Sequence, residues 1–267
     1  MLANVVREKG PLRLTGVRNF RDLGGLSAHD GRRVRPGLLM RSGHLGSATD
    51  TDLRRLAGLG LRTVVDFRVD GDLAADGLGR VPPGAARISL PLPDRAARST
   101  ELRDMVARRD RVGLEKLLGN GGARAFARRG VERLATDPEA TRCFARFLEL
   151  VAGDGRRPLL FHCSAGKDRA GWAATVVLLA LGARDDVIVD HYLASNAPHL
   201  VREMLESAEG MGFDPELVRP LVVVDAEYLR TGLDALESHW GGRQRYLERG
   251  LGFGSEQERA LRESLLE

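Results

Sequence analysis

Short apolar runs alternate along this chain with longer stretches whose apolar residues recur every three or four positions. Thr63-Val64-Val65-Asp66-Phe67-Arg68 is β-branched and apolar, the signature of a buried strand. Gly37 to Arg41 and Pro158 to His162 are similar runs bounded by turn residues, and Arg87 to Leu90 is a weaker one. Between them the period lengthens. Ser47-x-x-Asp50 is a capping-box pattern for a helix through about Leu59, stopped by Gly60. Asp137-Pro138 opens a helix whose apolar face is Cys143, Phe144, Phe147, Leu150 and Val151. An apolar helix leads to Leu181 and closes at Gly182, and further helices are predicted over 185–196, 198–211, 225–240, 243–250 and 255–266. Ser255-x-x-Glu258 is the expected cap of the last. The stretch 101–133 is helical but broken by Gly119-Asn120-Gly121-Gly122, a hinge or a loop.

Strands that alternate with helices imply an α/β fold: a mainly parallel central sheet flanked by helices on both faces, with a helical C-terminus. The 267 residues show no repeat, low-complexity tract or linker, so one domain over 1–267 is expected.

Composition narrows the function. The two cysteines, Cys143 and Cys163, make no disulfide framework, and there is neither CxxC nor HExxH, so no metal or other cofactor is expected. No secretory signal is visible, and the apolar run Trp172 to Ala183 falls short of the roughly 20 residues needed to span a membrane. The expectation is a cytoplasmic protein, with signal-less export left open. Net charge is +4, but between Arg95 and Arg133 eleven Lys/Arg face five Asp/Glu. This local excess suits anionic partners, or is simply a solvated arginine-rich surface. No aromatic platform interleaves these arginines, which argues against nucleic acid.

The segment that carries chemistry is His162-Cys163-Ser164-Ala165-Gly166-Lys167-Asp168-Arg169-Ala170-Gly171, between a predicted strand and the apolar helix. A short loop entering a helix points several N–H groups at one spot, and the helix dipole adds positive charge there. Ser164, Ala165, Gly166, Lys167, Asp168 and Arg169 are therefore candidate phosphate binders. Cys163 at the mouth of the loop is the candidate nucleophile, since a helix N-terminus and nearby cations favour the attacking thiolate. The planar fork of Arg169 can hold two phosphoryl oxygens, and Lys167 adds a second positive charge. His162 is given a supporting role, either tuning the thiolate or orienting the loop. Cys143, on an apolar helix face, reads as core packing.

This loop resembles the Cys-x5-Arg loop of the protein tyrosine phosphatases. It is closer still to the HCxxGKDRxG loop of the PtpB-type bacterial tyrosine phosphatases. Asn19-Phe20-Arg21-Asp22, Arg41-Ser42-Gly43, Asp66-Phe67-Arg68, Pro93-Asp94, His191-Tyr192-Leu193-x-Ser195-Asn196 and Ala226-Glu227-Tyr228-Leu229 are also similar to that family, so the likeness covers most of the chain. It implies a metal-independent phosphatase that acts on phosphorylated proteins or phosphoinositides and releases inorganic phosphate. It also implies a helical lid, placed here at about 95–133, with Gly119 to Gly122 as its hinge. Transient contact with a membrane surface would follow from a lipid substrate.

A general acid must protonate the leaving oxygen. Asp94, after Pro93 at a strand exit, is favoured by the resemblance; Asp168, inside the loop, is the second candidate. Asp66 is expected to be a structural partner of Arg68 or Arg21. One departure from the family pattern bears on turnover. Where many such loops carry Ser or Thr after the arginine, this chain has Ala170. Hydrolysis of the enzyme intermediate is then slower, or Ser164 supplies the hydroxyl. A catalytically silent binder of phosphorylated peptides or lipids is the main alternative, and sulfur or arsenate transfer a lesser one.

Overall fold

The computed structural model describes residue 12, residues 14–92 and residues 99–267. Five strands form one sheet in the order β1-β2-β5-β3-β4: β1 (Arg21–Asp22), β2 (Leu39–Ser42), β3 (Thr63–Asp66), β4 (Ala86–Ser89) and β5 (Leu159–His162). Four of them run parallel, and the short β1 pairs antiparallel with β2 at the edge. The α/β architecture and mainly parallel sheet are therefore as expected.

Side-chain alternation puts apolar residues on both faces of this sheet. On one face Leu39, Val65, Leu159 and Phe161 join the main core. Met40, Val64 and Leu160 point the other way, into a smaller cluster with Leu53 and Leu56 of α1 (Asp50–Gly58). The main core is built by α6 (Pro138–Ala152) and α7 (Arg169–Ala180). Asp137 caps α6 by accepting from Glu139 N–H and Ala140 N–H. Phe67, Phe144, Phe147 and Phe161 meet edge to face at 5.0–6.4 Å between centroids.

The intervening and remaining helices are α2 (Asp70–Asp76), α3 (Ser99–Arg108), α4 (Arg111–Leu118), α5 (Gly122–Thr136), α8 (Asp185–Leu193), α9 (Pro198–Gly210), α10 (Pro215–Val222), α11 (Ala226–Trp240), α12 (Arg243–Arg245) and α13 (Ser255–Leu265). A β-carbon on Gly232 of α11 would stand 2.7 Å from Val131 of α5 and from Trp172 of α7. Glycine there allows three helices to meet.

Several local expectations need correction. The cap of α1 is Thr49 with Asp52, not Ser47 with Asp50. Asp52 is fully buried, and its carboxylate also accepts from Thr15 N–H and Gly16 N–H at 2.9 and 2.8 Å. At α13 the cap pairs Gly254 with Gln257, because Glu258 is drawn inward to Arg262 and Gln244. Helix α10 was not foreseen, although Asp214-Pro215 repeats the Asp137-Pro138 start.

The proposed lid also divides. Its glycine break falls where expected, with Asn120 and Gly121 at positive φ, and a second break falls at Arg109 (φ 56°). The second half of α5 belongs to the main core through Val131, Leu134 and Ala135. Only α3, α4 and the start of α5 share a separate apolar cluster with α9 and α10, built on Leu114, Leu117, Leu118, Ala123, Ala208 and Phe213. No described helix is long and apolar enough to cross a membrane.

Candidate active site

The parallel strands end on one edge. Ser42 of β2 and Asp66 of β3 are both in register with His162 of β5. Their exits converge on the loop from Cys163 to Arg169, which leads straight into α7. This is the edge where open α/β sheets bind ligands.

The loop has one shape because its carbonyls are held from outside. The Ser164 carbonyl accepts from His44 N–H at 2.9 Å. Asn19 Nδ2 donates to the carbonyls of Ala165 and Gly166 at 3.3 and 2.9 Å. Arg41 Nη2 donates to those of Gly166 and Lys167 at 2.6 and 3.0 Å. The Asp168 carbonyl takes Trp172 N–H inside the helix. With the carbonyls turned outward, the N–H groups of Ser164, Ala165, Gly166, Lys167 and Asp168 donate to no acceptor among the described residues. Gly166 is essential to this turn. Its φ is +70°, and a β-carbon there would lie 2.4 Å from the Ser42 backbone.

Cys163 sits at the base of the loop and is buried. Behind it, His162 Nδ1 stands 3.3 Å from the Cys163 carbonyl and 3.7 Å from Asp66 Oδ1. Burial, only partly offset by Asp66, pushes the His162 imidazole down to about 4, so the ring is neutral at physiological pH. Asp66 is the partner of Arg68, not of Arg21, accepting from Arg68 N, Nε and Nη2 at 2.8–3.0 Å. Burial works against the Asp66 carboxylate, but those bonds hold it below the usual range. Arg68 then reaches the carbonyls of Gly77 and Leu78 and ties down the end of α2.

Arg169 stands at the first position of α7. Its Nη1 donates to Asp72 Oδ2 at 2.6 Å and lies 3.4 Å from the Phe67 carbonyl. Asp72 also accepts from Val69 N–H at the start of its own helix, α2. Burial opposes its charge, yet the Arg169 bond keeps its carboxyl below the ordinary value. Asp72 is thus a site residue that sequence reasoning missed. From α3, Arg103 Nε approaches the same carboxylate at 3.9 Å.

Lys167 departs from expectation. Its ammonium donates to the Leu221 carbonyl and lies 3.5 Å from that of Val223, at the C-terminus of α10, and 3.5 Å from Asp168. The side chain is spent on orphan carbonyls at a helix end, so the backbone N–H is what Lys167 offers the loop. The Asp168 side chain is half exposed at the loop rim. Asp94 and Pro93 lie outside the described residues. Cys143 is buried in the core with Sγ directed at the Leu90 carbonyl, and burial pushes its thiol up to about 12. Among the described residues no cluster of His, Cys, Asp and Glu could hold a metal. A cleft of about 170 Å³ opens beside the loop, lined by Arg18, Asn19, His44, Ser164, Lys167 and Met204 among others.

Loop amides without an acceptor among the described residues, next to a cysteine and an arginine at the helix start, can hold a tetrahedral anion. Known proteins are similar to this chain along most of its length. A bacterial chain from Cupriavidus necator, named as a candidate tyrosine-protein phosphatase, is 34% identical over 258 residues, covering 92% of this chain and 86% of its own length. The triple specificity protein phosphatase PtpB of Mycobacterium tuberculosis is 32% identical over 262 residues, covering 88% of this chain and 91% of its own. The resemblance seen in the loop and its flanking motifs therefore extends along the sequence, and the activity class is that of a phosphatase. Residues 12–267 match the model of the tyrosine phosphatase family, and the chain belongs to that family.

Proposed function

We propose that the protein hydrolyses phosphotyrosine in proteins, and phosphoserine, phosphothreonine or phosphoinositides besides, through a cysteinyl-phosphate intermediate. One observation carries the reading: the five loop amides that follow Cys163 have no acceptor among the described residues. In the first step the Cys163 thiolate attacks phosphorus in line, an S–P bond forms and the P–O ester bond breaks. The leaving oxygen takes a proton from an aspartic acid, Asp94 or Asp168. In the second step water attacks phosphorus, the S–P bond breaks, an aspartate accepts the water proton and inorganic phosphate departs. The amides and Arg169 hold the equatorial oxygens, where transition-state charge is spread.

The missing hydroxyl at Ala170 has a candidate substitute. Ser164 Oγ is buried next to Cys163 and has no hydrogen-bond partner among the described residues. It is free to donate to the departing sulfur in the second step. The width of the substrate range rests on the relative named as a triple specificity phosphatase. Arg108, Arg109 and Arg111, beside Val112 (79% exposed), give the α3–α4 pair a basic tip with one apolar residue. Such a tip suits brief contact with an acidic membrane carrying phosphoinositides. The pair is the lid in this reading, with hinges at Arg109 and at 119–121.

The test is metal-free phosphate release from a phosphotyrosine peptide and from phosphoinositide vesicles, with Cys163→Ser as control. Release abolished by the substitution supports the cysteine mechanism, and the ratio of rates ranks the substrates. No release from either, with phosphopeptide still bound, would make the protein a silent binder instead.

A further inference from the structure

Beneath the loop lies an unbalanced positive charge. Arg41 on β2 is completely buried. Only its Nη2 is spent, on the Gly166 and Lys167 carbonyls; Nε and Nη1 have no hydrogen-bond partner among the described residues. No described carboxylate forms an ion pair with it. A second guanidinium, Arg21, is also without a described carboxylate partner, and its Nε is likewise unpaired. Arg21 donates instead to Asn19, to the His191 carbonyl and to Ser195 Oγ. The other polar atoms packed here, His191 Nε2 and Tyr192 Oη, are buried and unpaired too. Burial, with help from Arg41 and Arg21, drives the His191 imidazole far down, so it adds no charge.

Burying a cation without a partner costs several kcal/mol. Folded proteins keep such a charge where an anion balances it during function. Burial lowers the Arg41 guanidinium to about 10. Its fork sits on the carbonyls of the loop that begins at Cys163, so an anion held by that loop would be the nearest counter-charge.

We propose that Arg41 is a positioning residue for phosphate-ester hydrolysis: its fork turns the Gly166 and Lys167 amides toward the bound anion, and its unpaired buried charge attracts that anion from behind the loop. This rests on the phosphatase reading for its substrate, but not for its test. Arg41 touches no reacting atom. It acts through the two carbonyls and through its field.

The experiment compares alkylation of Cys163 by iodoacetate, an anion, with alkylation by neutral iodoacetamide, and measures protection by inorganic phosphate. Neither requires turnover, so an inactive protein could still pass. Arg41→Gln removes the charge; Arg41→Lys keeps it but loses the fork. In Arg41→Gln the iodoacetate-to-iodoacetamide ratio and the phosphate affinity should each fall about tenfold, the scale of one charge-assisted hydrogen bond. In Arg41→Lys the ratio should stay within about threefold of the parent by the same scale. A Gln variant that melts lower but keeps ratio and protection within about twofold would reduce Arg41 to a structural brace. Should the Gln variant not fold, the Lys variant decides: a folded Arg41→Lys that loses about tenfold in ratio would overturn the role of the charge.

Discussion

His162 makes the fold sensitive to acid, and the size of the effect can be worked out. The ordinary histidine value is 6.5, and burial holds His162 at about 4 in the folded chain. Between those values the unfolded chain binds a proton that the folded chain refuses. Stability is therefore whole above pH 6.5 and declines as pH falls toward 4. At about 1.36 kcal/mol per pKa unit, His162 alone removes about 3 kcal/mol between pH 7 and pH 4. The slope in the middle of that window is about 1.4 kcal/mol per pH unit. His191, also held neutral by burial, adds a similar slope. The assay is urea unfolding at pH 7, 6, 5 and 4, for the parent and for His162→Gln. The variant starts less stable, having lost the contact with the Cys163 carbonyl, but its decline with pH should be shallower by about 1.4 kcal/mol per unit. Parallel declines would refute the reasoning, because they would mean that His162 takes its proton equally easily in both states.

Other expectations concern the chemistry. Asp72→Asn removes the charge that aims Arg169; kcat/KM on a phosphotyrosine peptide should fall about tenfold to a hundredfold, and an unchanged value would free Arg169 from Asp72. Ser164→Ala should leave the first-turnover burst intact and lower steady-state kcat about tenfold, the worth of one hydrogen bond to a charged group. Equal loss in both phases would place Ser164 outside the second step. Asp94→Asn and Asp168→Asn should differ: replacing the true acid slows a phosphoserine peptide far more than an aryl phosphate with a good leaving group, and flattens the alkaline limb of the pH profile. If both variants keep that limb, neither aspartate is the acid.

The sheet and the strand–loop–helix at Cys163 were legible because local pattern and tertiary role coincide there. Val64 and Val65 read as buried because they are buried on opposite faces of one sheet. Signals failed where a side chain's partner lies far away in sequence. Ser47 and Asp50 have the spacing of a cap, but Asp52 wins because it also collects the N–H groups of Thr15 and Gly16, more than thirty residues upstream. Lys167 looked like a phosphate ligand by proximity, yet its ammonium finds the Leu221 and Val223 carbonyls beyond the reach of any local rule. Asp72 gave no motif at all. Two acidic residues in the first turn of a short helix are ordinary capping, and only the fold brings Arg169 against one of them.

The flanking motifs acquire a physical meaning through the loop carbonyls. A Cys-x5-Arg segment alone cannot decide which way its peptide planes face, since carbonyls and amides of a free loop are equally welcome to water. In this chain the decision is made by Asn19 from the Asn19-Phe20-Arg21-Asp22 stretch, by Arg41 on β2 and the His44 amide just after it, and by the turn at Gly166. Each clamps a carbonyl from outside, so each turns the next amide inward. Arg21 in turn grips Asn19 and fastens it to Ser195 and the His191 carbonyl. Three of the segments that carry the family likeness, those at Asn19, Arg41 and His191 to Ser195, thus brace one loop. A loop grafted without them would keep its cysteine and arginine and lose the orientation of its amides.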